Sequence, residues 1–344
     1  MAGGNGMHKR NLPCLILLVL MLLLTGCAEK RETTDEISRT EDRVSGLCPW
    51  AYDVCADSVR GSTLDYYFMS SEGKIVSEDL TEPTKWGDCC LIVFPDGQTM
   101  LVDCGVADFG PILIENLDRM GVRRLDYVVI THPHTDHQDG IFHRDNLLGD
   151  GILDCMEIGQ VYHRGGTDPN RVDSQNVEKV CAERRIPLDV LEIGDEIQIG
   201  QVRARVLWPE EGTSEKQITG TANVNNSGIV IRFDYGEHAS LFAADLYDDG
   251  EYAMLSAQET AFFDVDLLKA PHHGSHTSGS TVFLNIASPE LTVATGYMPI
   301  RDDVLRRYAA CKTRILSDWN NGYIHISTDG KTMTWESSRQ DSCL

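Results

Sequence analysis

Thr131-His132-Pro133-His134-Thr135-Asp136-His137 puts four side chains with metal-ligating atoms into one short loop. Imidazole nitrogen and carboxylate oxygen are the usual non-sulfur ligands of zinc, at about 2.0–2.2 Å. His132 and His134 lie two apart, so in extended backbone their rings leave the same side of the chain. With only 11 His in 344 residues, this spacing points to a metal site rather than a solvated loop. A second group, His272, His273 and His276, follows Pro271. Alone, His272-His273-Gly274-Ser275 would read as a surface turn before it read as a ligand pair; its place behind an apolar strand reverses that order. Between the two groups, Asp245 closes the apolar run Ser240-Leu241-Phe242-Ala243-Ala244. A carboxylate buried there needs a partner. Either it bridges two cations or it caps the segment that follows as a helix.

The elements that must deliver these residues come in a repeated order. Cys89–Phe94 and Thr99–Asp103 flank Pro95-Asp96-Gly97 and predict a hairpin. Pro111–Met120 has helical apolar spacing with Gly121 as its stop, and Leu125–Ile130 is a strand ending at the first His loop. The same order returns later: a hairpin of Gly228–Phe233 and Ser240–Ala244, a helix over about 249–260, and a strand Val265–Lys269 leading to the second loop. The middle is less legible. There Gln160–His163 predicts a strand, Asn176–Arg185 a helix, Glu196–Ile199 with Val202–Leu207 a hairpin, and Glu210–Asn226 a polar loop. Leu291–Ala294, Arg314–Leu316 and Tyr323–Ser327 add strands, with Asp329-Gly330 turning a last hairpin. Two β-rich halves carrying helices outside imply an α/β fold, a four-layer αββα sandwich with the site in the cleft between halves.

The opening of the chain is not fold. His8-Lys9-Arg10 precedes the apolar run Leu15–Leu24, and Leu24-Thr25-Gly26-Cys27 resembles the bacterial lipobox. A signal peptide over residues 1–26 is therefore expected, with cleavage before Cys27 and lipid on its sulfur. The apolar run is short for a membrane span, the competing reading. Residues 27–62 read as lipid anchor and flexible stalk, and the protein as extracytoplasmic, anchored to the bacterial cell membrane. Of the 11 Cys, Cys14 leaves with the signal and Cys27 is lipidated, so an odd number remains and not all can pair. Cys48 and Cys55 could close a small loop, while Cys89 and Cys90 read as buried structural thiols. The formal charge of −23 repels phosphate backbones and anionic lipid.

These residues resemble the metallo-β-lactamase superfamily, whose HxHxDH signature is met by His132, His134, Asp136 and His137. More narrowly, the chain is similar to the hydrolase domain of ComEC-type competence proteins. The likeness lies in Gly87-Asp88, Pro95-Asp96-Gly97, Leu101-Val102-Asp103, Asn226-Ser227, Asp245, Leu268-Lys269 and His272-His273-Gly274-Ser275. The resemblance implies a hydrolase domain over 63–338 with a tail at 339–344. It also implies two divalent ions, zinc first and manganese as the alternative. One would sit on the His132 and His134 side and one on the Asp136 and His137 side. Asp245 would bridge them, and one or both of His272 and His273 would complete the ligand set. Two such ions lower the pKa of a shared water and neutralise charge on the attacked oxygen. No side-chain nucleophile is then needed, in line with the absence of a G-x-S-x-G elbow. Asp136, Asp245 and His273 are expected to carry catalysis, Asp103 to orient the histidines, and Ser275 and Asn226 to contact substrate.

The chain also departs from the superfamily pattern. Where another His is usual before the bridging Asp, it reads Asn223-Val224-Asn225-Asn226-Ser227, which leaves one ion a poorer ligand set. The usual Gly-Gly after the signature is Asp139-Gly140, and the usual Gly before the bridging Asp is Ala244. Ser70–Lys85 is an insertion that could rim the cleft, and His143, His163, His238 and His325 read as structural or surface residues. Three functions fit. The first is a metal-dependent phosphodiesterase or nuclease acting on nucleic acid or a small phosphodiester, and the acidic charge favours the small one. The second is an acyl hydrolase of a β-lactam, lactone or thioester. The third is a binding lipoprotein with a degenerate site, against which the intact first motif argues.

Overall fold

The computed structural model describes residues 47–71, 87–141, 151–166, 176–296 and 299–339. Its strands, in chain order, are β1 (Leu64–Phe68), β2 (Cys90–Val93), β3 (Thr99–Val102), β4 (Arg124–Ile130), β5 (Glu157–His163), β6 (Leu188–Val190), β7 (Glu196–Ile199), β8 (Val202–Trp208), β9 (Val230–Tyr235), β10 (His238–Phe242), β11 (Leu267–Lys269), β12 (Leu291–Ala294), β13 (Arg314–Ser317), β14 (Ile324–Thr328) and β15 (Met333–Ser337). They form an eight-stranded sheet, β15-β14-β1-β2-β3-β4-β5-β6, and a seven-stranded sheet, β13-β12-β11-β10-β9-β8-β7.

The side-chain period of two sorts each strand between layers. In β2, Cys90 and Ile92 face the second sheet, while Leu91 and Val93 face the outer helices. The inter-sheet layer includes Tyr66, Phe68, Met100, Val206, Phe233, Phe242 and Val293. Phe68 stacks on Phe242 at 5.9 Å between ring centroids, and Tyr66 Oη bonds Ser240 Oγ at 2.7 Å. Outside the first sheet, Leu113 and Leu117 of the helix Gly110–Arg119 pack on Leu125 and Val128. Outside the second, Met254, Phe283, Leu284, Val304 and Tyr308 pack on Leu241 and Leu268. Each fully buried Leu or Phe stabilises the fold by about 1.5–3 kcal/mol. The layers run helix, sheet, sheet, helix, the expected αββα sandwich.

The repeated unit is present in both halves. β2 and β3 form an antiparallel hairpin, and β4 lies parallel beside β3. Likewise β9 pairs antiparallel with β10, and β11 lies parallel beside β10. The carboxyl ends of β3, β4, β10, β11 and β12 therefore open toward one cleft.

The structure departs from the sequence reading in several places. Described residues ahead of position 63 are packed on the domain. Cys48, Trp50 and Val54 are buried against the outer face of the first sheet. The helix Val54–Gly61 starts at Asp53, whose side chain accepts from Ala56 N at 2.9 Å. Cys55 remains a thiol, so no loop closes between it and Cys48. Glu210–Asn226 contains the helix Thr221–Asn225, and the helices Thr281–Ala287 and Asp302–Ala310 were not anticipated. The signal segment, Cys27, the Glu29–Ser45 stalk, most of the 70–85 insertion and His143 lie outside the described residues. Among the described residues, no helix is long and apolar enough to cross a membrane.

Candidate metal centre

Backbone hydrogen bonds stitch the loops of the cleft together. Asp88 N donates to Asp136 O at 2.9 Å, Cys104 N to His137 O at 2.7 Å, Ile229 N to Thr131 O at 3.0 Å, and His272 N to Ala244 O at 3.0 Å. Gly87 has φ +75°, and a Cβ there would stand 1.9 Å from Asp136 O. Gly140 is required in the same way, since its Cβ would meet Cys104 O at 2.0 Å.

Asp245 sits in the middle of the donors, 2% exposed. Its Oδ2 lies 3.2 Å from His137 Nε2, 3.3 Å from His273 Nε2, and 3.9 Å from both His132 Nε2 and His272 Nε2. His132 Nε2 is 3.0 Å from His134 Nδ1, and His273 Nε2 is 3.5 Å from Asp136 Oδ2. Two groups result: His132, His134 and Asp245 on one side, and Asp88, His137, Asp245 and His273 on the other, with ligating atoms in each within 4.8 Å of one another. In the second group, Asp88 is already held by Lys269 Nζ, Thr295 Oγ1 and His273 Nδ1. Asp136 is then the carboxylate left to serve that set.

The atoms that face inward fit bound cations. His137 Nε2, His273 Nε2 and Asp245 Oδ1 are buried with no hydrogen-bond partner among the described residues. Leaving such atoms unsatisfied costs about 1–3 kcal/mol each, and the two imidazole nitrogens converge on the Asp245 carboxylate. Asp103 Oδ2 bonds His137 Nδ1 at 2.8 Å and accepts from Thr131 Oγ1 at 2.7 Å, so the Nε2 of His137 is the atom presented. Orientation of a ligating imidazole by a carboxylate on its other nitrogen is the usual arrangement in metal sites. Burial holds His132 well below the ordinary imidazole range, and therefore neutral, as a ligand must be. Burial also opposes charge on His137 and His273, but the surrounding carboxylates, Asp245 with Asp103 for His137 and Asp245 with Asp88 and Asp136 for His273, together outweigh it and raise both. That is the electrostatic signature of a pocket built for positive charge.

The extent of the family match decides the assignment: residues 87–293 match the metallo-beta-lactamase superfamily. The chain belongs to this superfamily. Its members are metal-dependent hydrolases, and the donor set described above is suited to that chemistry. Competence protein ComA of Neisseria gonorrhoeae is 28% identical over 257 residues, 73% of this chain and 31% of its own length. ComE operon protein 3 of Bacillus subtilis (strain 168) is 24% identical over 292 residues, 78% of this chain and 35% of its own. The chain spans about a third of the length of these two relatives. Among solved structures, the metallo-beta-lactamase fold protein YhfI of Bacillus subtilis is similar with a TM-score of 0.45 at 14% identity, covering 74% of this chain and 96% of that one.

Within this superfamily hydrolase, His132, His134, Asp136, His137 and His273 are grouped around Asp245. His272 Nδ1 is held by Thr277 Oγ1 at 2.7 Å and the ring stacks on Tyr247 at 4.9 Å between centroids. The Thr277 loop is pinned by buried Glu251, whose carboxylate accepts from Gly279 N at 2.5 Å and Ser280 N at 2.8 Å. Ser275 lines a pocket beside both histidines. Asn226 joins two neighbouring loops. Its Oδ1 accepts from Tyr247 N at 2.8 Å and its Nδ2 donates to Asp249 Oδ1 at 2.7 Å. The side chain keeps one further Nδ2 proton beyond these two bonds. Asp139 is buried, 3% exposed, and does not face solvent. Ala244 adopts φ +46°, and His272 and His273 adopt φ +48° and +56°, the left-handed region that non-glycine residues rarely occupy. Sequence reasoning assigned no role to Asp88, Lys269, Thr277 or Thr295. A lysine inside the apolar strand leading to His272 was the available signal, because a buried cation requires a partner.

Proposed function

We propose that this chain is an extracytoplasmic phosphodiesterase of the superfamily, anchored by lipid at Cys27 and acting on small phosphodiesters. The observation that carries the hydrolytic reading is Asp245, whose Oδ2 lies between two sets of imidazole nitrogens. His132, His134 and Asp245 would hold one divalent ion; Asp136, His137, His273 and Asp245 would hold the other. Bound there, two ions supply Lewis acidity to a water and offset charge developing on a phosphoryl oxygen.

The residues themselves do the positioning. Asp103 and Thr131 fix His137, while Thr277 fixes His272. A pocket of about 150 Å³ opens beside His272 and His273, lined by Ser275, His276, Ile300 and Arg301 among others. Its apolar wall and basic edge suit a compact substituent that carries an anion. The motif resemblance to the ComEC-type hydrolase branch, which includes Asn223-Val224-Asn225-Asn226-Ser227 in place of a further histidine, is the ground for preferring phosphodiester chemistry over acyl transfer. A charge of −23 favours a small diester over a long polyanion.

The test is hydrolysis of bis(p-nitrophenyl) phosphate and of a chromogenic β-lactam by the purified chain, with zinc or manganese and with EDTA. Diester turnover that EDTA abolishes and added metal restores is expected. Turnover of the β-lactam alone would replace this reading with the acyl one.

A further inference from the structure

Lys269 lies at the end of the buried strand β11 and is 4% exposed. Its Nζ donates to Asp88 Oδ2 and, at 3.3 Å, to the Ala244 carbonyl oxygen, with Asp245 Oδ1 3.8 Å away. Asp88, also 4% exposed, uses Oδ1 for two further partners, Thr295 Oγ1 and His273 Nδ1, the latter at 3.1 Å. His273 Nδ1 is in addition 3.0 Å from the Thr295 carbonyl oxygen. Packing around the pair is tight: the cavity bounded by Asp88, Lys269, Asp103, Thr295 and Phe242 measures only about 10 Å³. Neither charge has room to swing away.

These contacts have a consequence for His273. Its backbone sits at φ +56°, so local structure does not favour the conformation that aims the ring. Two acceptors on Nδ1 select the tautomer with the proton there and leave the Nε2 lone pair facing Asp245 and Asp136. Asp88 can act in this way only while ionised and held in place. Lys269 supplies the opposite charge, without which Asp88 would be one more buried carboxylate beside Asp103 and Asp245.

We propose that Asp88 and Lys269 are positioning residues, a buried ion pair that grips His273 through Nδ1 and so sets its Nε2 as the ligand atom for the Asp136, His137 and Asp245 side. The proposal rests on the two-ion reading of the site. It does not depend on the phosphodiester assignment, because its readout is metal binding.

Zinc affinity of the full chain is measured by competition with a chromophoric chelator, and imidazole tautomers are read from nitrogen-15 spectra of the zinc-loaded protein. The informative variant is Asp88→Asn combined with Lys269→Met, which removes both charges and leaves neither unpaired. The expected result is a folded protein whose ion on the His273 side binds about 10–100-fold more weakly, with His273 in mixed tautomers and the His132 and His134 resonances unchanged. Thr295→Val is expected to produce a smaller loss of the same kind. Wild-type affinity on the His273 side with a single Nδ1-protonated His273 overturns the proposal, and so does equal weakening of both ions. If the double variant does not fold, Thr295→Val decides alone, and unchanged affinity on the His273 side then overturns it. A wild-type chain that binds no zinc would instead refute the two-ion reading itself.

Discussion

Asp245 is the residue on which the two donor sets depend. Removing its charge while keeping its shape should disable the site and spare the fold, because its Oδ1 makes no hydrogen bond among the described residues. Asp245→Asn and Asp136→Asn are each expected to lower diester turnover by on the order of a hundredfold or more, with melting temperatures close to wild type. Near wild-type rates at saturating metal would remove the residue in question from the ligand set. Ala244 makes a separate prediction about stability. It occupies φ +46°, and an L-residue in that region costs roughly 1–2 kcal/mol. Ala244→Gly should therefore raise unfolding free energy by up to about 1 kcal/mol, against the usual cost of about 0.5–1 kcal/mol for glycine inside an element. Urea denaturation measures the sign directly, and a clear loss of stability would mean the backbone is not strained there.

The pairing of β14 with β1 shows how an element distant from the metal cleft is held. His325 lies opposite Tyr67 in the antiparallel register and stacks on its ring at 4.2 Å between centroids. Its Nε2 is 2.9 Å from Asp65 Oδ1 and its Nδ1 is 3.2 Å from Glu336 Oε1. Burial opposes the charged imidazole, but the hydrogen bonds to Asp65 and Glu336 outweigh it and raise its pKa. Burial likewise opposes the Asp65 carboxylate, while His325 lowers its pKa. A raised imidazole contributes stability that is full below about pH 6.5, its unfolded value, and is lost as pH rises through the folded value. The lowered carboxylate contributes above about pH 3.9 and is lost on acidification. Calorimetry should show melting temperature falling as pH rises above about 6.5, with His325→Gln flattening that slope and leaving metal affinity unchanged. An unaltered slope would show that His325 does not titrate differently on unfolding. Elements elsewhere were legible to differing degrees. Hairpins around Asp96-Gly97 and Tyr235-Gly236 announce themselves through turn chemistry. The helix Thr281–Ala287 is short, although the Ser280 cap on Phe283 N at 3.2 Å and the buried Phe283, Leu284 and Ala287 follow helical rules.

Across the whole molecule, the balance of charge limits what can approach the cleft. At −23 the surface repels long polyanions, and the repulsion is screened by salt with a Debye length of about 10 Å at 0.1 M. Small diesters should therefore be hydrolysed faster than single-stranded DNA at low ionic strength, and any DNA cleavage should accelerate as salt is added. DNA cleavage that is fast at low salt and slows with salt would indicate a basic track on the protein and contradict this expectation. The sequence by itself determined the superfamily, the sandwich and most of the donors, because the first ligands are contiguous and the hairpin, helix, strand and loop order repeats. Only the tertiary structure showed that His273 Nε2 comes closer to Asp245 Oδ2 than His272 Nε2 does, 3.3 Å against 3.9 Å, that Asn226 joins two loops, and that Lys269 pairs with Asp88. The reason is physical. Those relations are made where β10, β11 and β12 end side by side and Asp88 crosses from the other sheet, and no spacing along the chain encodes a meeting between strands.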